Sequence, residues 1–326
     1  MTALPPAATT GPQRCATRSE AARLRGPARG LSYNHGVKAP PDIDSINHVG
    51  MAVRDLAAAA RCYEAMGFML TPYSPHSAAW KAGEAVKPQG SGNRCVMLPH
   101  NYLEILASEN PAAPAERIEN FLRRHQGAHI ICFNSEVPEA IDARLAAAGI
   151  RTSGVIPLQR EVDTPEGVRT ARFQRVQFAP DDSPEGYIQV ARHRTPQYIY
   201  QARYTAHANG CTLLSDTIVV ADDGARFAAK YGRYLDAQPE QDGSAWRFRF
   251  ALGDVLTLIA PHAVAHWLPG SSLPPLPCIA GVCFRVPDLA RQRARLGAAG
   301  FGVQDVGPRI LVPAGQACGV TVLFEQ

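Results

Sequence analysis

Two histidines, one glutamate and one glutamine are the residues whose types and spacing could do chemistry. His48 stands in the run INHVGMAV and His129 in HIICF, while Glu104 sits in NYLEIL and Gln189 in GYIQVA. The interval from His48 to Glu104 is 56 residues and that from His129 to Gln189 is 60, so the four read as two matched pairs. Two imidazoles, a carboxylate and an amide oxygen around one point would hold one divalent ion (Fe, Mn, Co, Ni or Zn), because mixed nitrogen and oxygen ligands suit those metals. Such an ion, with open positions, polarises a carbonyl or chelates a diol. Glu104 is the single carboxylate of the set and the candidate to move a proton. A lone histidine or glutamate on a strand is more often satisfied by a hydrogen bond; it is the matched placement that favours a metal.

That placement comes from a repeat. INHVGMAV precedes the helical stretch LAAAARCYEAMG ending at Gly67, and HIICF precedes PEAIDARLAAAG ending at Gly149. LSDTIVVADD precedes GARFAAKYGRYLDA, and IAGVCFRVPD precedes LARQRARLGAAG ending at Gly300. From His48 to Gly67 is 19 residues, from His129 to Gly149 is 20 and from Gly281 to Gly300 is 19. Glycine at these places is the expected helix C-cap; the third copy lacks it. Alternating apolar runs follow each helix: GFMLTPY, NRCVML and NYLEIL in the first copy, with SPHSAAWKAGEAVKPQGSG as a loop between the first two; ARFQRVQF and GYIQVA in the second, after the loop LQREVDTPEG. The architecture expected is α+β, with four βαβββ modules in two tandem domains. Residues 1–42 read as a disordered extension, 43–195 as the metal-binding domain, 196–210 as a linker and 211–326 as a second domain.

Side chains on a strand alternate between faces, so equivalent registers in two symmetric modules converge on one cleft. In the second half the positions matching His48 read as Ser215 and Gly281, and the match to Glu104 as Thr257, so that half is expected to bind no metal. Asn93, Arg94, Arg172 and His193 are the candidates for holding substrate; His193 follows Gln189 by four and shares its face along an extended strand. His100, His125 and His207 carry no pattern and read as surface residues.

The module order, the capping glycine and the runs SINHVGMAVRDL, GNRCVML, NYLEIL and RTPQYIY…HANG resemble the vicinal oxygen chelate superfamily, the relatives of glyoxalase I and the extradiol dioxygenases. The resemblance runs over about residues 44–326 and is more specific in the first two modules. It implies that two modules pair into a curved sheet around a metal, and an isomerase- or lyase-type enzyme acting on a carbonyl or enolate. Glyoxalase I relatives pair two glutamates where this chain has Glu104 and Gln189, which speaks against that activity. The set is similar to that of methylmalonyl-CoA epimerases with amide and carboxylate exchanged. One alternative is a non-haem Fe(II) extradiol-type dioxygenase using His48, His129 and Glu104; another is a metal-free binding or resistance protein.

Bulk properties narrow the partners. An apolar share of 46% against 19% charged residues suits a globular chain, and no stretch reaches the roughly 18 apolar residues of a spanning helix. The net charge is +4, yet residues 1–40 carry +5 of it. A nearly neutral body gives no electrostatic reason for nucleic-acid binding. The partner expected is a small molecule, with a homodimer possible in principle and neither nucleic acid nor membrane involved. The Arg-rich start is also compatible with a transit peptide. Eight scattered cysteines without a CxxC pair suit a reducing compartment, the cytoplasm.

Overall fold

The structure, a computed structural model, describes residues 41–78, 87–108 and 115–326. The expected extension lies outside the described residues except at its end, where Asp42 is held by Arg144 Nε at 2.6 Å. Two eight-stranded sheets carry the four βαβββ modules. The first module is β1 (Ser45–Ala52), α1 (Leu56–Ala65), β2 (Ser74–Ala78), β3 (Lys87–Met97) and β4 (Tyr102–Ser108). After an unforeseen helix α2 (Glu116–Arg124) comes the second: β5 (Gly127–Asn134), α3 (Pro138–Ala147), β6 (Thr152–Thr164), β7 (Gly167–Phe178) and β8 (Tyr187–His193). A short helix α4 (Pro196–Ile199) leads to the third: β9 (Leu213–Val220), α5 (Gly224–Leu235), β10 (Glu240–Asp242), β11 (Ala245–Arg249) and β12 (Val255–Ile259). Helix α6 (Val264–Trp267) precedes the fourth: β13 (Cys278–Arg285), α7 (Leu289–Ala298), β14 (Gln304–Val306), β15 (Arg309–Val312) and β16 (Thr321–Glu325). In each sheet the first strands of two modules meet antiparallel at the centre, and each pairs in parallel with the last strand of its own module.

Local signals explain the module boundaries. Asp55, Asp223 and Asp288 cap α1, α5 and α7 by accepting from the N–H three residues on, which satisfies a backbone donor the helix leaves free. Gly67, Gly149 and Gly300 follow their helices at φ of +94°, +71° and +83°, a region that costs other residues energy. The third module lacks this glycine, and Asp236 takes the left-handed position at φ +49°.

Two stretches read as loops are strands. SPHSA forms β2, whereas GFMLTPY before it is irregular. LQREVDTPEG lies almost wholly inside the β6–β7 hairpin, where polar residues alternate along a half-exposed ribbon. The segment 196–210 is no free linker: His207 Nδ1 accepts from Met69 N, its Nε2 lies 2.8 Å from Met97 O, and Asn209 Nδ2 donates to Met66 O. His207 is thus buried, against the surface reading, and His125 is half-buried against His129.

One apolar cluster joins the outer faces of both sheets and the helices between them, with Val49, Tyr63, Phe133, Leu145, Tyr231, Phe284 and Phe324 inside it. Phe68 stands 4.7 Å from Phe284, ring centre to ring centre. Large-to-small replacement at such a site costs about 3–5 kcal/mol. The opposite face of the first sheet is left free to carry polar residues.

Candidate functional site

Strand register decides which side chains share that face. His48 lies opposite Cys132, and Cys132 opposite Gln189. Gly50, two residues beyond His48, lies opposite Glu104, and Glu104 opposite Cys95. Residues paired across strands point the same way, so His48, Glu104 and Gln189 share one face as expected. His48 Nε2 is 3.9 Å from Glu104 Oε2, and the His48 ring stacks on Tyr102 at 4.6 Å.

His129 does not join them. Gly50 pairs with Ile130 and Met51 with Ala128, so His129 is the extra residue of a bulge. Its ring stacks on Phe121 of α2 at 4.7 Å, and its Nε2 meets the His125 carbonyl at 2.9 Å. The repeat spacing carries the reason: counting 19 residues back from Gly149 reaches Ile130. In a strand a one-residue offset changes the face presented. Ile130 comes so near that a Cβ on Gly50 would sit 2.9 Å from it.

A chain of hydrogen bonds fixes the proton on His48. Asn134 Nδ2 donates to the Asp44 carboxylate at 3.0 Å, so Asn134 presents its oxygen to Asn47 Nδ2 at 3.1 Å. Asn47 then presents its own oxygen to His48 Nδ1 at 2.8 Å, so Nδ1 must donate. Burial brings the His48 pKa down to about 4, with Arg160 adding to the effect and Glu104 opposing it. At neutral pH Nε2 is therefore a bare lone pair facing a carboxylate.

Glu104 itself is ionised. Burial pushes its carboxyl up, but His76 first, with the nearby His48 and the Asn93 amide, holds it well below the usual carboxylate range. Asn93 Nδ2 donates to Oε1 at 2.6 Å and His76 Nε2 lies 3.7 Å from the same oxygen. His76, on β2, was missed because its stretch reads as a loop; the only signal was its place two residues after Ser74 on an alternating strand. Gln189 Oε1 is buried without a hydrogen-bond partner among the described residues. Cys132, between the two halves, stays a thiol because burial and then Glu104 raise its pKa.

Of the substrate-binding candidates, Asn93 and His193 reach this face. His193 is buried with Nδ1 unpartnered, its rings neighbours being Tyr200 at 5.5 Å and Phe173 at 5.1 Å. Burial, then His48 and Arg160, lower its pKa to about 3. Arg94 points the other way, to Thr71 O and Glu64, and Arg172 is exposed on the far side of β7. The arginines that face the site are Arg160 and Arg175, neither of which the sequence singles out. A cavity of about 230 Å³ adjoins Asn93, Cys95 and Met97, walled by Arg160, Val162, Tyr198, Ile199 and Tyr204.

The model of the glyoxalase-like domain family matches residues 46–235, more than half of the chain. The protein belongs to that family. Its place in the vicinal oxygen chelate superfamily agrees with the solved structures that share the fold. This glyoxalase-like protein superposes on a hypothetical protein from Staphylococcus aureus with a TM-score of 0.56 at 13% identity, covering 86% of this chain and 98% of that one. A mutant of 4-hydroxymandelate synthase from Streptomyces coelicolor gives 0.55 at 14%, covering 87% and 92%. The Mn(II)-bound glyoxalase from Novosphingobium aromaticivorans gives 0.50 at 14%, covering 87% and 82%. At these identities the likeness is one of fold. Among curated proteins none matches this chain.

The family implies a divalent metal, and the face just described can be tested for one. His48 Nε2, Glu104 Oε2 and Gln189 Oε1 are all acceptors, with no proton available between them. Two ligand atoms each roughly 2.1 Å from an ion stand about 3 Å apart at a right angle and about 4.2 Å apart across it. The 3.9 Å between His48 and Glu104 falls in that span and is too long for a hydrogen bond. The spacing fits an ion held between His48 and Glu104, and Gln189, on the same face with its Oε1 unpartnered among the described residues, is the candidate third ligand. Among the described residues no three His, Cys, Asp or Glu side chains converge for one, so His129 has no replacement of equal strength in place.

Proposed function

We propose that this protein is a divalent-metal enzyme acting by proton transfer beside a carbonyl of a small molecule, in the manner of an isomerase or lyase. The observation that carries the reading is the pair of unprotonated acceptors, His48 Nε2 and Glu104 Oε2, facing one another at 3.9 Å, with the His48 tautomer locked from behind by Asn47, Asn134 and Asp44. Metal-binding histidines characteristically donate their second ring N–H in this way. The ion would polarise the carbonyl and stabilise an enolate. Glu104, kept ionised, would serve as a ligand and is the carboxylate that would take the proton, the role the sequence assigns to it. His193, neutral with Nδ1 unpartnered, is placed to hold a substrate oxygen by hydrogen bonding, and Tyr102 keeps the His48 ring from turning.

Two alternatives fare differently. The dioxygenase reading drew its facial triad from His48, His129 and Glu104, and it loses its second histidine to α2. Metal-free binding draws support from the absence, among the described residues, of three converging strong ligands. Calorimetric titration of chelator-stripped protein with Mn, Co, Ni, Zn and, without air, Fe(II) separates them. One ion per chain is expected, with affinity lost by at least about a hundredfold in His48→Ala and Glu104→Gln. Deuterium exchange beside a carbonyl, followed by NMR in the loaded protein, tests the reaction. No ion acquired under any condition would overturn the metal reading.

A further inference from the structure

Among the described residues Arg160 forms no ion pair. It lies on the site face of β6, opposite Ala171 and next to Phe173, whose ring centre is 5.8 Å from its guanidinium carbon. Its side-chain hydrogen bond among the described residues goes to the neutral Ser74 Oγ at 3.3 Å. Ser74 pairs in register with Asn93, which holds Glu104, so Arg160 reaches the edge of the acceptor set. Its charge acts on His48, His193 and Cys95 alike. The same arginine lines the cavity of about 230 Å³, whose inner walls of Met97, Val162, Ile199, Tyr198 and Tyr204 are apolar or aromatic. Glu161 and Asp163 also border the cavity, but both are exposed.

A guanidinium at a cavity wall with no carboxylate partner among the described residues keeps donors for a ligand, and its planar fork suits a carboxylate. We propose that Arg160 anchors the carboxylate of the substrate, making the substrate class small organic acids with an apolar or aromatic body. The inference rests on the metal reading only for where the reacting oxygen lies, toward His48 and Glu104. Arg175 faces the same side but does not border the cavity; its charge acts on Cys132.

Phenylacetate and its neutral isostere phenylacetamide, titrated calorimetrically into metal-stripped and Mn-loaded protein, give the test. A charged hydrogen bond predicts at least about tenfold tighter binding of the carboxylate. Arg160→Gln should erase the difference, Arg160→Lys should keep part of it and Arg175→Gln should leave it intact. Arg160→Gln should still bind one Mn per chain, which shows that the variant is folded. Equal affinity for both probes, no binding of either at millimolar concentration, a preference that survives Arg160→Gln, or its loss in Arg175→Gln would each overturn the assignment. Failure to bind Mn with the carboxylate preference intact would instead strike the metal reading alone.

Discussion

The two sheets share one scaffold and treat its centre in opposite ways. Where the first sets His48, Glu104 and Gln189 around Cys132, the second sets Asp216, Thr257 and Leu323 around Cys283, position for position in the register. The match to His48 is Asp216, one residue beyond the Ser215 read from sequence, since Ser215 falls in a register shift of β9 just as Asn47 does in β1. The second sheet therefore keeps a buried carboxylate and supplies its own cation. Arg309 Nη2 meets Asp216 Oδ2 at 3.0 Å and its Nε meets Glu325 at 3.0 Å, while Thr257 donates to Asp216 Oδ1 at 2.8 Å. Leu268, Leu311 and Leu323 pack against this face. Arg309 stands where Arg175 stands in the first sheet, opposite Glu325 as Arg175 is opposite Ala191. A closed ion pair needs no ligand, whereas a carboxylate facing lone pairs does.

The largest effect expected from this difference comes from taking the cation out of the closed sheet. Arg309→Met leaves Asp216 and Glu325 without their counter-charge in an interior where Asp216 is fully buried and Arg309 nearly so. Breaking a buried pair from one side costs about 3–5 kcal/mol. Urea unfolding should show that loss while the Mn affinity of the first sheet stays unchanged. A loss below about 1 kcal/mol would mean that the ion pair is not what fills the second centre.

A smaller effect lies where the sheets meet. Asp254, on the turn before β12, accepts from the Ile46 N–H of β1. Burial raises its pKa from 3.8 to about 6, with the Ile46 N–H opposing and Asp44 adding to the rise. Between those values the folded chain keeps a proton that the unfolded chain has released. The stability due to this proton is complete below about pH 4 and is lost as the pH rises through about 6, a change on the order of 3 kcal/mol. The gap in unfolding free energy between the unaltered protein and Asp254→Asn should shift by that amount across the window. A gap that does not vary with pH would remove Asp254 as a titrating link between the sheets.

Smaller again is the effect of the relay behind His48, which has no counterpart behind Asp216. Asn47→Ala frees the imidazole to turn and to choose its tautomer, and loss of such a partner lowers metal affinity about 10–100-fold. Calorimetry on the stripped variant reads it. An unchanged affinity would show that Tyr102 stacking alone fixes the ring.

Much of this was open to reading in the sequence, and the failures share a cause. The βαβββ repeat was legible because an apolar strand run, a helical stretch and, in three copies of four, a closing glycine recur at nearly fixed intervals. That His48, Glu104 and Gln189 share one face was legible from their matched places on the first and last strands of the modules. His129 and Ser215 are each one residue out of register, where a bulge decides the face, and Arg172 falls on the far face of its strand. His76 and Arg160 were hidden because polar alternation on an exposed ribbon resembles a loop. The intact pairing of Arg309 with Asp216 joins β15 to β9, 93 residues apart, and no local pattern announces it.

The least effect of all is the sharpest test of register. The bulge that carries His129 recurs in the second sheet, where Ile279 pairs with Val219 and Gly281 with Ile218, leaving Ala280 in the matching place. An alanine there shows that the bulge needs no ligand to form. His129→Leu should therefore leave the Mn affinity unchanged while removing the bond to the His125 carbonyl, at a cost of about 1 kcal/mol in unfolding. A fall in Mn affinity as large as that of His48→Ala would mean that β5 presents His129 to the same centre, and the parallel between the two bulges would fail.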